Sequence, residues 1–184
     1  MNHILPSLRL WIATLLICVL AYGAVVLGFA QTVAPFQANG SIIVQNGRPI
    51  GSRLIAQNFT QDRYFWPRPS AADYNGMGAM GSNLSPTSEK LKQRAAETVS
   101  RYPAAEDDPI PADLVAASGG GLDPHISLAG ARYQADRVAA ARRLPVSSVE
   151  AVINRLAFAP GGAFAPDRIV NVLELNMALD RLGR

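Results

Sequence analysis

Residues 10–30 form an unbroken run of 21 residues without a charged side chain, and most of them are apolar. As an α-helix this run would be about 31 Å long, close to the roughly 30 Å hydrocarbon core of a bilayer. Arg9 precedes the run and Gln31 follows it, as is usual at the two ends of a membrane span. The sequence therefore predicts one membrane-spanning helix. Its anchor residues are Leu10, Trp11, Leu20 and Ala30.

The orientation of this span depends on Arg9, the only charged side chain before Arg48. Together with the α-amino group, Arg9 puts positive charge at the N-terminal end of the span, which favours a cytoplasmic N-terminus. We therefore expect residues 1–9 in the cytoplasm, residues 10–30 in the membrane, and residues 31–184 outside the cytoplasm as one domain.

Two other interpretations of the apolar run are open. Gly28, Phe29 and Ala30 resemble the cleavage site of a signal peptide, although the apolar part of such a peptide usually has only about 7–15 residues. A helix buried in a soluble core is the other alternative, but an ordinary surface helix has one polar face, which this run lacks. The length of the run favours a retained anchor.

Residues 31–184 have a globular composition, with 16 basic, 14 acidic and 10 aromatic residues among 154. The net charge of +2 and the absence of a basic run longer than Arg142–Arg143 argue against nucleic-acid binding. Cys18 lies in the apolar run, and His3 and His125 are the only histidines, so a disulfide and a Cys/His zinc site are excluded. An all-carboxylate site for Mg²⁺ or Ca²⁺ stays open, without the spacing of an EF-hand.

A β-hairpin is predicted within residues 41–57. Residues 42–44 are apolar and suit one strand, and Leu54 and Ile55 are expected in the other. The Asn46–Gly47 pair between them is a strong signal for a type I′ turn, because both turn residues must adopt a positive φ. The domain is therefore expected to contain a small antiparallel sheet.

Helical periodicity and long loops fill the rest of the domain, which predicts an α+β fold with a small antiparallel sheet and long loops. Loops of this length in a compact domain are usually functional. The predicted loops are at 58–84 and 103–125, and a turn is predicted at 158–166. The first helix is capped by Ser85 and ends at Tyr102–Pro103, and the second is capped by Ser127 and runs to Arg142. The third helix, at 148–156, has a capping box at Ser147 and Glu150, and the last is capped by Asp167, runs to about Leu182 and is largely buried, with Asn171 and Asn176 hydrogen-bonded in or beside it.

The first long loop holds half of the domain's aromatic residues, close to two arginines. Trp, Tyr and Arg dominate the binding energy of many interfaces, which suggests a partner-binding surface. A small satellite core that ties the loop down is an equally good interpretation. The candidate interface residues are Tyr64, Phe65, Trp66, Arg68, Tyr74 and Asn75.

Three consecutive glycines in the second long loop, ahead of a predicted helix, suggest a phosphate or nucleotide cradle. The loop lacks the lysine of a P-loop, and Asp123 would repel phosphate, so a tight turn stopped by Asp123–Pro124 is the simpler interpretation. A hydrolase triad is not expected, because the chain contains no G-x-S-x-G motif. The candidate functional residues are Ser118, Gly119, Gly120, Gly121, Asp123 and His125.

These features suggest an accessory subunit: a membrane-anchored extracytoplasmic domain without an evident active site. Several stretches, taken together and in order, also resemble a known family over nearly the whole chain. The family that these stretches resemble is the C subunit of the Kdp-type potassium-transporting ATPases of bacteria and archaea. The stretches are residues 51–57, 65–71, 74–75, 81–84, 113–127, 137–139 and 170–176, with Ala56 where the family usually has Gly and Gly120 where it often has Ser.

The resemblance implies a place in an ATP-driven potassium uptake complex of the bacterial inner membrane. The implied partners are a channel-like subunit that selects K⁺, a P-type pump subunit that hydrolyses ATP, and a small hydrophobic subunit. The implied role is that of a catalytic chaperone that raises the pump subunit's affinity for ATP, which makes ATP the implied ligand and K⁺ the transported ion. The P-type motif Asp-Lys-Thr-Gly-Thr is absent, so this chain is not itself the ATPase.

The predicted topology conflicts with a direct nucleotide site, because ATP is cytoplasmic and Arg9 places the domain on the other side. Coupling through the anchor helix and neighbouring subunits, or an action at the potassium entrance, would avoid this conflict. The alternative to an accessory subunit is a membrane-tethered binding or hydrolytic protein that acts alone.

Overall fold

The computed structural model describes residues 3–102, 108–165 and 167–182. The chain divides into two compact units, Met1–Ile50 and Gly51–Arg184. The predicted end of the first helix at Pro103, the start of the second long loop at 103–107 and the turn residue Pro166 lie outside the described residues.

Helices and short strands alternate along the described chain. The helices are α1 (Ile4–Leu15), α2 (Tyr22–Val33), α3 (Pro35–Ala38), α4 (Glu89–Val99), α5 (Ala112–Val115), α6 (Leu128–Tyr133), α7 (Ala135–Arg142), α8 (Val146–Leu156) and α9 (Val172–Leu182), with a π-helical turn at Leu16–Ala21 and a 3₁₀ turn at Gly162–Phe164. The strands are β1 (Ile42–Gln45), β2 (Arg48–Ser52), β3 (His125–Ser127) and β4 (Ile169–Asn171).

The first unit begins with a continuous helix, Ile4–Val33, formed by α1, the π-helical turn and α2. The helix has 30 residues, is apolar over most of its length and is long enough to cross a membrane, and none of its most apolar window is buried. Leu10, Trp11 and Leu20 are exposed, as anchor residues that face lipid would be. The exposure of the helix contradicts the alternative of a core helix. The helix also continues past Ala30, where the prediction ended it.

The hairpin is confirmed, but its second strand lies closer to the turn than predicted. Asn46 and Gly47 have φ angles of 52° and 75°, as a type I′ turn requires. Strand β2 ends at Ser52, so the placement of Leu54 and Ile55 in this strand is wrong. The Ser52 hydroxyl accepts a hydrogen bond from the Leu54 N–H (3.1 Å), and this side-chain turn redirects the chain before it reaches Leu54.

The core of the second unit lies between a two-stranded antiparallel sheet and helices α6 to α9. Strands β3 and β4 pair His125 with Asn171, Ile126 with Val170 and Ser127 with Ile169. Leu114 of α5 also reaches this core. Its largest fully buried side chains are Phe65, Leu114, Ile126, Ile153, Leu175 and Leu179.

Two predicted helix starts are wrong by a few residues. Helix α4 begins after Ser88 rather than Ser85, whose carbonyl and hydroxyl close a turn by accepting the N–H groups of Ser88 (2.9 Å) and Thr87 (3.3 Å). Helix α8 follows Pro145 and has no side-chain cap, so the predicted capping box does not form. In both places a nearby residue takes the N-cap position instead of the predicted one: Ser88 instead of Ser85, and Pro145 instead of Ser147.

The other differences from the prediction concern the helix after Ser127, the last helix and the second long loop. Ser127 caps its helix as predicted, by accepting the Gly130 N–H (2.8 Å), but this helix is divided into α6 and α7 at Gln134. Strand β4 precedes the last helix, so Asp167 does not cap it, and Asn171 accepts the Glu174 N–H (3.1 Å) instead. The second predicted loop contains α5, and it ends where β3 begins.

Candidate partner-binding site

The two long loops that the sequence singles out meet in the structure. We call residues 64–75 the aromatic loop and residues 118–125 the glycine loop. A salt bridge joins them between Arg68 Nη1 and Asp123 Oδ2 (3.1 Å). The Ser70 hydroxyl donates to the Gly121 carbonyl (2.5 Å), and the Ser118 N–H donates to the carbonyl of Pro69 (3.2 Å). The two separately predicted sites therefore form one surface region.

Gly121 allows the close approach of the two loops. Its φ is +71°, and a Cβ at this position would lie 2.7 Å from the Met80 carbonyl oxygen and 3.0 Å from the Ala72 Cβ. By contrast, a Cβ on Gly119 or Gly120 would meet nothing within 4 Å. Only the third glycine of the run is thus required by packing, and the first two are exposed.

Two buried side-chain amides hold the backbone of the aromatic loop. Asn176 of α9 accepts the Phe65 N–H (2.8 Å) and donates to the Phe65 carbonyl (3.0 Å). Gln134 accepts the Trp66 N–H (2.9 Å) and donates to the Trp66 carbonyl (3.2 Å). Each amide thus bonds one backbone N–H and one backbone C=O, as a neighbouring strand would, in a segment that belongs to no sheet. Gln134 and Asn176 are each 1% exposed.

The Trp66 ring lies among cations and a second aromatic ring. The Arg137 guanidinium is 3.6 Å from the ring centroid, and that of Arg101 is 4.9 Å away. Tyr102 packs edge-on at 5.4 Å between centroids. Burial lowers the pKa of Arg137 to about 10, so this cation remains charged at neutral pH. Such cation–π contacts are stronger when they are partly desolvated.

The burial of the aromatic loop divides the candidate interface residues. Phe65 and Trp66 are 0% and 7% exposed and belong to the main hydrophobic core, so they offer almost no area to a partner. This agrees with a core role, although the core is the main one and not a satellite. Tyr64, Arg68 and Tyr74 are half-buried and Asn75 is exposed; their contact with a partner stays a prediction.

Asp123, which belongs to the glycine loop, stabilises its conformation through side-chain hydrogen bonds. Its carboxylate accepts the His125 N–H (3.0 Å) and lies 3.3 Å from His125 Nδ1, in addition to its bridge to Arg68. Burial alone would raise the pKa of Asp123, but the hydrogen bonds from His125 and Arg68 outweigh it and lower the pKa below 3.8. Ser118 is buried, and its hydroxyl accepts the Asp123 N–H (3.4 Å). This is the geometry of a fixed turn.

The helix N-terminus beyond the glycine loop already has an anionic partner. Asp113 accepts the N–H of Ser127 (2.7 Å) and its hydroxyl (2.9 Å). The carboxylate therefore puts a negative charge beside the helix N-terminus, and this charge would repel a phosphate there. The only cation that the aromatic loop brings to the glycine loop, Arg68, is already paired with Asp123.

Two depressions in the second unit are a poor match for a nucleotide. One, beside Trp66 and Tyr102, has a volume of about 40 Å³, enough for water only. The other, of about 390 Å³, is open and is lined by Asp108 and Asp136 against a single guanidinium, that of Arg132. Within residues 3–102, 108–165 and 167–182, no cluster of three metal-ligating acidic, His or Cys side chains occurs.

Gln134 and Arg137 also shape the site, although the sequence does not single them out as site residues. Gln134 is the only side-chain amide in the predicted helix that runs from Ser127 to Arg142, whose other residues are mostly apolar, small or charged. This isolated amide is the one feature of the sequence that could have indicated a buried hydrogen-bonding role. The chain thus combines one helix long enough to cross a membrane with an α+β domain whose long loops are fixed by buried hydrogen bonds, which is the architecture expected of an accessory subunit.

The comparison with protein families assigns this class to one family. The family model described as KdpC, the c chain of the K⁺-transporting ATPase, matches residues 4–181. The chain therefore belongs to the KdpC family, and the resemblance seen in the sequence is confirmed.

Curated relatives agree over their full lengths, and each is named potassium-transporting ATPase KdpC subunit. The chain is 60% identical to that of Parvibaculum lavamentivorans over 183 residues, which cover 99% of this chain and 98% of the relative. It is 45% identical to that of Serratia proteamaculans (99% and 100% covered) and 43% identical to that of Mycobacterium bovis (98% and 99% covered). The chain is thus an accessory subunit of a K⁺-transporting ATPase, and K⁺ is the ion that the complex transports.

Proposed function

We propose that this chain is a single-pass subunit with residues 1–9 in the cytoplasm and residues 31–184 outside it. Arg9 is the only charged residue before Arg48, and the helix between them is exposed along its length. Positive charge at the N-terminal end supports this orientation. The chain would then lie in the bacterial inner membrane, with its second unit on the extracytoplasmic side.

In this position the chain assembles or stabilises the complex. Its partners are the channel-like subunit that selects K⁺, the ATP-hydrolysing pump subunit and the small hydrophobic subunit. The observation that carries this proposal is the joining of the aromatic and glycine loops through Arg68 and Asp123 into one fixed region. A pre-formed surface loses little conformational entropy on docking, which suits a structural subunit.

The subunit promotes ATP use without binding ATP itself. Asp123 holds the glycine loop as a fixed turn by accepting the His125 N–H, and Asp113 places a second carboxylate at the Ser127 N–H that follows. On the proposed topology the second unit and cytoplasmic ATP are on opposite sides of the membrane. The effect on the pump subunit therefore passes through the span and the neighbouring subunits.

Co-purification of the complete complex from mild detergent tests this proposal. Arg68→Ala should reduce the amounts of pump and channel subunits that accompany this chain, because it breaks the bridge that joins the loops. Arg53→Ala is the matched control, since it removes another Arg–carboxylate pair, to Glu174, at 2.8 Å. A wild-type chain that purifies without other subunits would instead indicate a tethered protein acting alone.

A reporter fused to the C-terminus tests the topology separately. Activity of an enzyme that folds only outside the cytoplasm is expected. Activity of a reporter that works only in the cytoplasm would overturn the orientation and restore the possibility of a direct nucleotide site.

A further inference from the structure

Tyr22 carries a polar group close to the centre of the membrane span. The uncharged run at 10–30 is centred on Leu20, and Tyr22 follows two residues later, or about 3 Å further along the axis. Side chains on a helix tilt toward its N-terminus, so the Tyr22 hydroxyl is directed toward the middle of the bilayer. The nearer end of the run, at Ala30, is about 12 Å away in the opposite direction.

The hydroxyl of Tyr22 has no hydrogen-bond partner among the residues that the structure describes. The two threonines of the helix Ile4–Val33 differ in this respect. Thr14 donates to the Leu10 carbonyl (2.9 Å), and Thr32 donates to the Phe29 carbonyl (2.8 Å). Tyr22 is 67% exposed in the chain alone. In hydrocarbon an unpaired hydroxyl is unfavourable, and lipid tails offer no acceptor.

The backbone is also irregular at this depth. The π-helical turn Leu16–Ala21 ends at Tyr22, whose N–H donates to the carbonyl of Ile17, five residues earlier. Single π-helical turns within α-helices occur frequently at functional sites. The irregular turn and the unpaired hydroxyl therefore mark the same level of the span.

One face of the helix extends from Tyr22. At about 100° per residue, Phe29 lies on the same face as Tyr22, whereas Leu20 and Leu27 lie on nearly the opposite face. Tyr22 and Phe29 are each 67% exposed, and Leu20 and Leu27 are 58% and 57% exposed, so both faces are uncovered in the chain alone and the unpaired Tyr22 hydroxyl distinguishes them. We propose that the Tyr22–Phe29 face docks against a transmembrane helix of another subunit, which presents a hydrogen-bond acceptor to the Tyr22 hydroxyl at mid-membrane depth. This inference rests on the proposed function, because it requires a retained anchor within the complex.

Site-specific photocrosslinking in membranes that contain the complete complex tests which face is covered. A photoreactive phenylalanine analogue is placed at position 22 or 29, and the matched controls carry it at position 20 or 27. Protein adducts are expected from positions 22 and 29, and lipid adducts from positions 20 and 27. Equal protein capture from both faces, or lipid capture from all four positions, would overturn the inference.

The hydroxyl itself is tested by Tyr22→Phe, which keeps the ring. The amount of partner subunit retained through detergent washing should fall by about three- to eighteen-fold, the range that hydrogen bonds between transmembrane helices support. Thr14→Val is the control, because its hydroxyl is already bonded within the helix. Retention equal to that of the wild type would overturn the inference.

The outcomes of these experiments distinguish failure of the proposed function from failure of the docking face. If the wild-type chain does not co-purify with other subunits, the proposed function fails, and the inference fails with it. If the wild-type chain co-purifies but positions 22 and 29 capture no protein, only the docking face is wrong.

Discussion

At the scale of single residues, Trp66 shows how a side chain typical of interfaces can be used internally. Its ring contacts the Arg137 guanidinium and Tyr102, and its indole N–H donates to the Gln61 carbonyl (3.2 Å). These contacts lie within one chain, and the ring is only 7% exposed. Residue type alone therefore does not separate a binding residue from a core residue.

Trp66→Ala should destabilise the second unit by about 3–5 kcal/mol, because it removes a large buried ring and leaves a cavity. Denaturant unfolding of the purified full-length chain measures this loss. Phe164→Ala is the control, since Phe164 is 100% exposed and its loss should change the free energy of unfolding by less than about 0.5 kcal/mol. A stable Trp66→Ala chain that no longer binds its partners would restore the interface interpretation.

Asp123 should make the stability of the second unit sensitive to acid. Its pKa is lower in the folded chain than the ordinary 3.8, so its stabilising effect is present above pH 3.8 and is lost as the pH falls through the folded-state pKa. The free energies of unfolding of wild type and Asp123→Asn should differ by at most about 1 kcal/mol at pH 7, because solvent screens this partly exposed group. A difference that stays constant down to pH 2 would contradict this, and Glu150→Gln controls for the loss of one exposed charge.

At the scale of elements, the helices act as supports for loops that have no regular structure of their own. Helix α9 contributes Asn176, and Gln134, between α6 and α7, supplies the second amide. Their partners Phe65 and Trp66 are 111 and 68 residues away in sequence. Such contacts have no local signature, which is why the sequence placed Asn176 at a hydrogen-bonded position but could not name its partner.

Asn176→Asp tests the amide support, because the carboxylate cannot donate to the Phe65 carbonyl. We expect a loss of about 2–4 kcal/mol in the free energy of unfolding at neutral pH. Burial raises the pKa of such a carboxyl, so the loss should be smaller at acid pH and grow as the pH rises above about 4. Asn154→Asp, at an exposed position where the side chain accepts from Arg132, should be tolerated. An equal effect of the two substitutions would exclude the support role.

The span should be retained in the mature protein. The helix continues from Ile4 to Val33 without an interruption at Ala30, where a signal peptide would be cleaved. N-terminal sequencing or intact mass of the chain from membranes should therefore include residues 10–30. A mature protein that begins at Gln31 would show that the segment is a signal peptide.

The elements that local sequence determines were predicted best. Asn46 and Gly47 specify their turn by themselves, and Ser127 caps its helix as expected. The start of the last helix was wrong because β4 exists only through its pairing with β3, more than forty residues earlier. Likewise, the meeting of the aromatic and glycine loops depends on Arg68 and Asp123, 55 residues apart.

At the scale of the whole molecule, membership of an ATP-driven complex does not require this chain to bind ATP itself. The full-length chain in detergent should show no micromolar affinity for ATP by calorimetry, because the carboxylates of Asp113 and Asp123 would repel phosphates near the glycine loop and the helix that follows it. Gly120→Val is an informative control, since a side chain there meets nothing, whereas Gly121→Val would disturb the fold itself. Micromolar binding that Gly120→Val abolishes would show that the glycine loop is a nucleotide site.

The side-chain amides of Gln134 and Asn176, which bond the backbone of the aromatic loop, also affect whether separate copies of this chain aggregate before they meet their partners. An extended stretch paired in a sheet exposes unpaired N–H and C=O groups along its outer edge, where a second copy can add a strand and start aggregation. Gln134 and Asn176 satisfy the backbone groups of Phe65 and Trp66, but an amide side chain offers no further row of groups. Newly made subunits can therefore keep this loop extended and ordered without recruiting one another through it.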